Sequence, residues 1–117
     1  MNRGRLLADA KNTALSLVDG YEPPEPPVFR LPGASGKAAL EMAVKGFQDQ
    51  GMATAHDGVV AAELATVLTG GSADVVDEVT EKQLLTLERE AFVTLIKKIP
   101  TLDRMQHMLE TGKPLRN

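Results

Sequence analysis

The segment Gly33-Ala34-Ser35-Gly36-Lys37 carries the residue types of a phosphate-binding turn. Glycines before a helix let backbone N–H groups point at an anion, and a lysine adds a positive charge. Two positions argue against a nucleotide loop: Leu31 stands where the first glycine belongs, and Ala38 stands where a magnesium-binding Ser or Thr belongs. The segment therefore favours the start of a helix, with a small enzyme that binds phosphate here as the weaker alternative.

The two histidines, His56 and His107, are candidates for zinc binding or proton transfer. They fall on different predicted helices, which argues against a shared zinc site. We therefore predict surface or helix-capping roles for both, and no metal site. A nucleophile elbow of the form G-x-S-x-G is absent from the sequence, so hydrolytic chemistry has no positive support.

Acidic side chains cluster in the second half of the chain and raise the question of an acid–base pair. Such a pair needs two carboxyl groups that converge and have shifted pKa values. The spacing of Glu88 and Glu90 places them on different sides of a helix. The pattern favours a solvated acidic face, made of Asp74, Asp77, Glu78, Glu81, Glu88 and Glu90.

The composition fits one ordinary globular domain. The chain has 117 residues, of which 43% are hydrophobic and 25% are charged. The absence of cysteine excludes disulfides and thiolate chemistry, and a net charge of -3 argues against nucleic acid as a partner. No apolar run approaches the length of a membrane span, so we expect a cytoplasmic protein.

Three regions follow from the pattern of apolar residues and prolines. Residues 1–20 predict an N-terminal helix, which Gly20 closes. Residues 21–34 form a proline-rich extended connector, because proline removes backbone donors and disfavours helix in the residue before it. We interpret the connector as a stiff spacer anchored on a neighbouring surface by Val28, Phe29 and Leu31. Residues 35–117 predict a helical region.

Capping signals divide residues 35–117 into helices. Ser35 is the predicted cap of a helix that ends near Gln50. Thr54 with Asp57, and Thr80 with Gln83, have the spacing of capping boxes, in which two side chains bond each other's backbone amides. These two boxes open the third and fourth helices.

A short last helix completes the predicted fold. Thr101 is its expected cap and Gly112 its end. No convincing strand alternation occurs, so the fold class is all-α with four or five amphipathic helices. We expect the following residues of the last helix to face inward: Leu102, Met105, Met108 and Leu109.

Several stretches of the chain resemble known enzymes of fatty-acid β-oxidation. Residues 87–92 (LEREAF) and 108–114 (MLETGKP) resemble the C-terminal end of crotonase-family enoyl-CoA hydratases. The wider pattern is similar to long bacterial proteins that fuse a 3-hydroxyacyl-CoA dehydrogenase to an enoyl-CoA hydratase. That wider pattern comprises residues 5–11, 31–39, 67–71 and 108–117.

The resemblance implies a parent protein that hydrates an enoyl-CoA thioester and oxidises the product with NAD. The resemblance places the hydratase core before this segment. The chain itself has no G-x-G-x-x-G fingerprint of a dinucleotide-binding site. The resemblance thus implies that residues 35–117 are the helical C-terminal region of a crotonase-like enzyme. We expect no cofactor and no catalytic residue in this segment, and NAD and a CoA thioester for the parent.

In the family, the tail can contact the adenine end of CoA. Met108 replaces the tail's aromatic residue and Thr111 replaces a lysine, which leaves Lys113 and Arg116 as the candidate ligands of CoA phosphates. The expected partners are the hydratase core of the same polypeptide and further copies of the chain. The alternative is a different functional class of protein, a free-standing helical adaptor that binds a peptide.

Overall fold

A computed structural model describes residues 3–117 of the chain. A short 3-10 turn, Arg3–Arg5, precedes the first helix. Within the described residues the fold is all-α, as predicted, with five α-helices and one two-stranded ladder. In chain order the elements are α1 (Leu6–Ser16), β1 (Val28–Phe29), α2 (Gly33–Asp49), α3 (Ala55–Leu68), β2 (Val79–Thr80), α4 (Glu81–Ile96) and α5 (Ile99–Thr111).

Helix α1 and the connector extend away from the rest of the chain. Every residue of α1 is exposed, and α1 ends at Ser16, earlier than the predicted end near Gly20. Gly20 does adopt the positive φ of 77° that only glycine takes easily. The connector is extended, as predicted, and β1 pairs antiparallel with β2. This ladder fixes the end of the connector to the loop that precedes α4.

Helix α2 begins two residues earlier than the expected cap, Ser35. Its N-cap position is Pro32, and the hydroxyl of Ser35 donates a hydrogen bond to the Pro32 carbonyl at 3.1 Å. The buried Gly33 starts the helix with a φ of 58°, and its N–H donates to the Thr69 carbonyl at 3.1 Å. A tertiary bond therefore sets this helix start, which local capping rules did not anticipate.

Both predicted capping boxes are confirmed. At α3, the Asp57 N–H donates to Thr54 Oγ1 at 3.1 Å, and the Thr54 N–H donates to Asp57 Oδ2 at 2.8 Å. At α4, the Gln83 N–H donates to Thr80 Oγ1 at 3.3 Å, and the Thr80 N–H donates to Gln83 Oε1 at 2.8 Å. These bonds satisfy amides that a helix start leaves without partners.

Small residues occupy the centre of the packed helices, where α3 lies against both α2 and α4. Among the described residues, the buried hydrophobic side chains are Ala65, Val79 and Ala91, and the methyl-bearing Thr69 is fully buried. Small side chains let helices approach closely, but they bury little apolar area. The large apolar side chains are mostly exposed.

The molecule is consequently much more open than an ordinary domain. Its radius of gyration is 20.7 Å, whereas a compact chain of this length has about 13 Å. It exposes 9163 Å², which is about 3,000 Å² more than a compact monomer of the same mass. None of the described helices is long and apolar enough to span a bilayer.

Candidate functional site

The glycine-rich segment at the start of α2 is a structural turn. The Gly33 N–H donates to the Thr69 carbonyl at 3.1 Å, and the Gly36 N–H donates to the Pro32 carbonyl at 3.3 Å. Lys37 Nζ lies 3.8 Å from Glu41 Oε1 in an i,i+4 ion pair. Because these groups have partners within the chain, the geometry favours the interpretation as a helix start over a phosphate site.

His56 is buried, so the prediction of a surface or capping role for it is wrong. Only 6% of the residue is exposed, and Nε2 lies 2.9 Å from Thr101 Oγ1 on α5. Thr101 thus pairs with a distant histidine and does not cap α5, whose N-cap is Lys98. His107 is half-buried. Over residues 3–117, no cluster of three metal-ligating side chains occurs.

The six carboxylates of the predicted acidic face are all exposed, as expected for a solvated face. The Asp74 N–H donates to Asp77 Oδ2 at 2.8 Å, which closes a turn in the loop before β2. Glu78 Oε1 lies 2.9 Å from Arg30 Nη2, and this pair joins the connector to the same loop. Asp74, Asp77 and Glu78 therefore have structural partners in this loop and the connector.

Arg104 is the most highly connected side chain between α5 and the rest of the fold. Its Nη1 donates to Asp57 Oδ1 at 2.8 Å, and its Nη2 donates to Thr54 Oγ1 at 3.1 Å. Its Nε donates to Asn117 Oδ1 at 2.7 Å. The Asn117 amide in turn donates to the Pro100 carbonyl at 3.1 Å. Arg104 thus ties the start of α3, helix α5 and the C-terminal tail together.

The Asp57 carboxyl has a clearly lowered pKa. Its hydrogen bond from the Thr54 backbone N–H and the charge-assisted bond from Arg104 lower its pKa to about 2. Both donors favour the ionised carboxylate. The capping box of α3 and the Arg104 contact therefore share one charged group.

This shift predicts a loss of stability in acid. Because the pKa is lower in the folded chain, Asp57 stabilises the fold above its ordinary pKa, and this contribution is lost as the pH falls from about 4 to about 2. The side chain is 34% exposed, so solvent screening reduces the contribution to about 1–2 kcal/mol. Urea denaturation at a series of pH values measures it.

Asp57→Asn is the control for this pH dependence. The amide cannot ionise in this range, so the variant should be less stable at neutral pH and should lose less stability between about pH 4 and 2. An identical acid dependence in the variant and the parent chain would assign the loss to other carboxyl groups.

Helix α5 turns its polar side to the body of the fold, so the prediction that its apolar residues face inward is wrong. Thr101, Arg104 and His107 are half-buried, three residues apart along one side of the helix. Next to this polar side, the helix carries what we call the α5 apolar face. Its residues and their exposed fractions are Leu102 (48%), Met105 (44%), Met108 (46%) and Leu109 (87%).

A second apolar surface, the α3–α4 groove, lies between these two helices. The groove encloses about 580 Å³ and continues toward the connector beside Phe29. Several of its large side chains are exposed, including Leu68 at 62% and Leu85 at 56%. Exposed contiguous apolar surface of this kind indicates an interaction site. The groove is lined by Leu64, Val67, Leu68, Leu85, Glu88, Arg89, Ala91, Phe92 and Leu95.

The two tail cations predicted to meet CoA phosphates are exposed. Arg116 Nη2 donates to the Met52 carbonyl at 2.7 Å, which holds the tail beside the loop between α2 and α3. The backbone N–H of Lys113 donates to Thr111 Oγ1 at 3.1 Å. Neither cation forms an ion pair with the described residues, so both charges face solvent.

Comparison with known proteins locates the chain within a longer sequence. No protein-family model and no solved structure matches it. The chain is 43% identical over 118 aligned positions to a probable 3-hydroxyacyl-CoA dehydrogenase of Bacillus subtilis (strain 168). The match covers 100% of this chain and 15% of that relative. The chain is thus similar, from end to end, to a small part of a much longer 3-hydroxyacyl-CoA dehydrogenase sequence.

Proposed function

We propose that this chain is a non-catalytic helical segment of a cytoplasmic protein of fatty-acid β-oxidation that combines 3-hydroxyacyl-CoA dehydrogenase and enoyl-CoA hydratase activities. The segment packs over the hydratase core of the same polypeptide and supports subunit association. The observation that carries the proposal is the match of the whole chain to a small part of a longer dehydrogenase. That match favours this function over a free-standing adaptor.

The α5 apolar face is the proposed contact with the hydratase core. A helix whose polar side is held against its own fold by Arg104 and Thr101 presents its apolar side outward. Water around four large aliphatic side chains is unfavourable, and a partner surface removes it. The flexible side chains of Met105 and Met108 suit an interface because they adapt to an irregular surface.

Catalysis is assigned to other parts of the longer protein. The sequence has no dinucleotide fingerprint, and His56, Asp57 and Glu78 have structural partners. NAD would accept the hydride and a CoA thioester would be the substrate, and both would bind outside this segment. The isolated chain should give no hydration of crotonyl-CoA. Measurable turnover by the purified chain would contradict the assignment.

Charge on the α5 apolar face tests the proposed packing. Met105→Glu with Leu109→Glu should leave the helix content of the isolated chain unchanged, since both side chains are exposed. In the longer protein, the same two changes should lower the thermal midpoint by several degrees and reduce both enzyme activities, because charges would be forced into an apolar contact. Differential scanning calorimetry measures the thermal midpoint, and activity assays measure the two enzyme activities.

Val75→Glu with Val76→Glu is the matched control for the α5 substitutions. These two side chains are also exposed, at 58% and 76%, and lie on the loop before β2. The control should affect the longer protein little. If the α5 variant behaves like this control in the longer protein, the proposed packing of α5 on the hydratase core is wrong.

Lys113 and Arg116 give a separate prediction about CoA binding. We propose that their exposed charges attract CoA phosphates, as paired cations commonly do. Lys113→Ala with Arg116→Ala in the longer protein should weaken CoA-thioester binding by about tenfold, which corresponds to about 1.4 kcal/mol. Isothermal titration calorimetry measures the affinity. Lys82→Ala with Lys97→Ala removes the same charge elsewhere, and equal affinities for the two variants would refute the contact.

A further inference from the structure

We propose that helix α1 of one copy of this chain packs into the α3–α4 groove of a second copy, and that the exchange is reciprocal. The inference rests on the proposed role in subunit association and names the surfaces that perform it. Both surfaces lack a partner in the single chain: no residue of α1 is buried, and four large groove side chains, Leu64, Leu68, Leu85 and Phe92, are 52–62% exposed.

The apolar stripe of α1 matches the groove in spacing and length. The stripe consists of Leu7, Ala10 and Ala14 of α1 and of Leu17, the C-cap residue that follows it, at intervals of three, four and three residues. On α4, the groove-lining residues Leu85, Glu88, Phe92 and Leu95 repeat the same intervals. Each set spans about 15 Å along a helix. Equal spacing allows side chains of one helix to pack between those of the other.

Charges at the edge of the groove also suit α1. Glu81 and Glu88 line the apolar surface where it runs from the groove toward the connector. Helix α1 carries the cation Lys11, whereas the charge of Arg5 is paired with Asp9 of the same helix at 3.6 Å. Lys11 beside the acidic rim residues would orient the two helices, while the apolar stripe supplies most of the contact.

The connector favours exchange between copies over folding back within one chain. Residues 21–27 are extended and exposed and include Pro23, Pro24, Pro26 and Pro27. A proline-rich stretch of this length is semi-rigid and extends about 3.1 Å per residue, so it holds α1 away from its own body. Exchange of an identical element across a stiff hinge is a low-cost route to a dimer.

The area available is sufficient for a stable dimer. The chain exposes about 3,000 Å² beyond the area expected for a compact monomer of its mass. A stable interface buries about 1,200–2,000 Å² in total. The surplus exposed area of one chain therefore exceeds what such an interface buries, and reciprocal exchange would use α1 and the groove of both copies.

The absence of cysteine from the chain makes the exchange testable by disulfide trapping. One chain carries Ala10→Cys and a second carries Leu85→Cys; the two are mixed and equilibrated with oxidised glutathione, which accepts the electrons as the disulfide forms. We expect at least about fivefold more covalent heterodimer than with Leu109→Cys in place of Leu85→Cys, because docking raises the effective thiol concentration. Leu109 is 87% exposed and lies outside the groove.

Three outcomes would overturn the exchange. These are a heterodimer yield equal to the Leu109→Cys control, a monomeric mass for the parent chain in analytical ultracentrifugation, or a disulfide formed only within single chains that carry both Ala10→Cys and Leu85→Cys. The last outcome would place α1 on its own groove. None of these results bears on Met105→Glu with Leu109→Glu, so the proposed packing of α5 stands or falls separately.

Discussion

Arg104→Ala should destabilise the chain by about 2–4 kcal/mol, one of the two largest effects expected here. The substitution removes the bonds to Asp57, Thr54 and Asn117 at once. It also leaves the Asp57 carboxylate without its cation in a partly enclosed site, and the loss of one partner of such a pair costs more than the pair itself contributes. Urea denaturation followed by far-ultraviolet circular dichroism measures the change.

The loss should be concentrated at α5. This helix has few contacts with α4, and its polar side meets α3 through Arg104 and through the pair formed by Thr101 and His56. Hydrogen exchange of the α5 amides should therefore accelerate more in Arg104→Ala than that of the α3 amides. Uniform acceleration would show that α5 does not open as a separate unit.

Arg30→Ala is the matched control for Arg104→Ala. Arg30 forms an ion pair with Glu78 at 2.9 Å, almost the same distance as the Arg104–Asp57 pair. The Arg30 pair is 72% and 53% exposed, whereas the Arg104 pair is 23% and 34% exposed. Exposed pairs contribute only about 0–1 kcal/mol. Equal destabilisation by the two variants would contradict the role assigned to Arg104.

The sequence predicted those features that depend on neighbouring residues. The boxes formed by Thr54 with Asp57 and by Thr80 with Gln83 require side chains three positions apart, so their spacing alone identifies them. The proline-rich connector and the glycine that follows α5 are local for the same reason. All-α architecture follows from the sum of such local signals.

The orientation of α5 required information that periodicity does not contain. The pattern of Leu102, Met105 and Leu109 marks an apolar side, and an apolar side normally faces the core of its own chain. The pairs His56–Thr101 and Asp57–Arg104 join residues 45 and 47 positions apart. These pairs orient α5 so that its polar residues, and not its apolar ones, face the fold. Buried polar partners at such separation cannot be read from one helix, and the same limit concealed the burial of His56.

The open shape follows from which residues are buried and which are exposed. Small residues such as Ala65 and Ala91 take the buried positions, and large ones such as Leu68 and Phe92 remain outside. Such a core supplies little hydrophobic stabilisation, because buried apolar area sets its size. Capping boxes and the Arg104 bonds therefore carry an unusual share of the stability, and covering the outer apolar side chains should add more.

Gly33→Ala should destabilise the chain by about 2–4 kcal/mol, the second of the largest effects. Gly33 has a φ of 58°, where a β-carbon is strained in any case. That β-carbon would also lie 2.9 Å from the Ala73 carbonyl oxygen, which is backbone and cannot rotate away. The bond from the Gly33 N–H to the Thr69 carbonyl fixes the site further, so relief of the clash would break it.

Gly46→Ala in the same helix is the matched control, because it also replaces a glycine with alanine. We expect it to raise the free energy of unfolding, whereas Gly33→Ala lowers it. Apart from adjacent residues and the backbone of its own helix, no atom lies within 4 Å of a β-carbon at Gly46, and this residue does not have a positive φ. Alanine is favoured over glycine in a helix interior by about 1 kcal/mol, so this variant should be more stable than the parent chain. Urea midpoints of the two variants should thus move in opposite directions. A Gly33→Ala chain as stable as its parent would show that the turn between the connector and α2 does not hold the fold together.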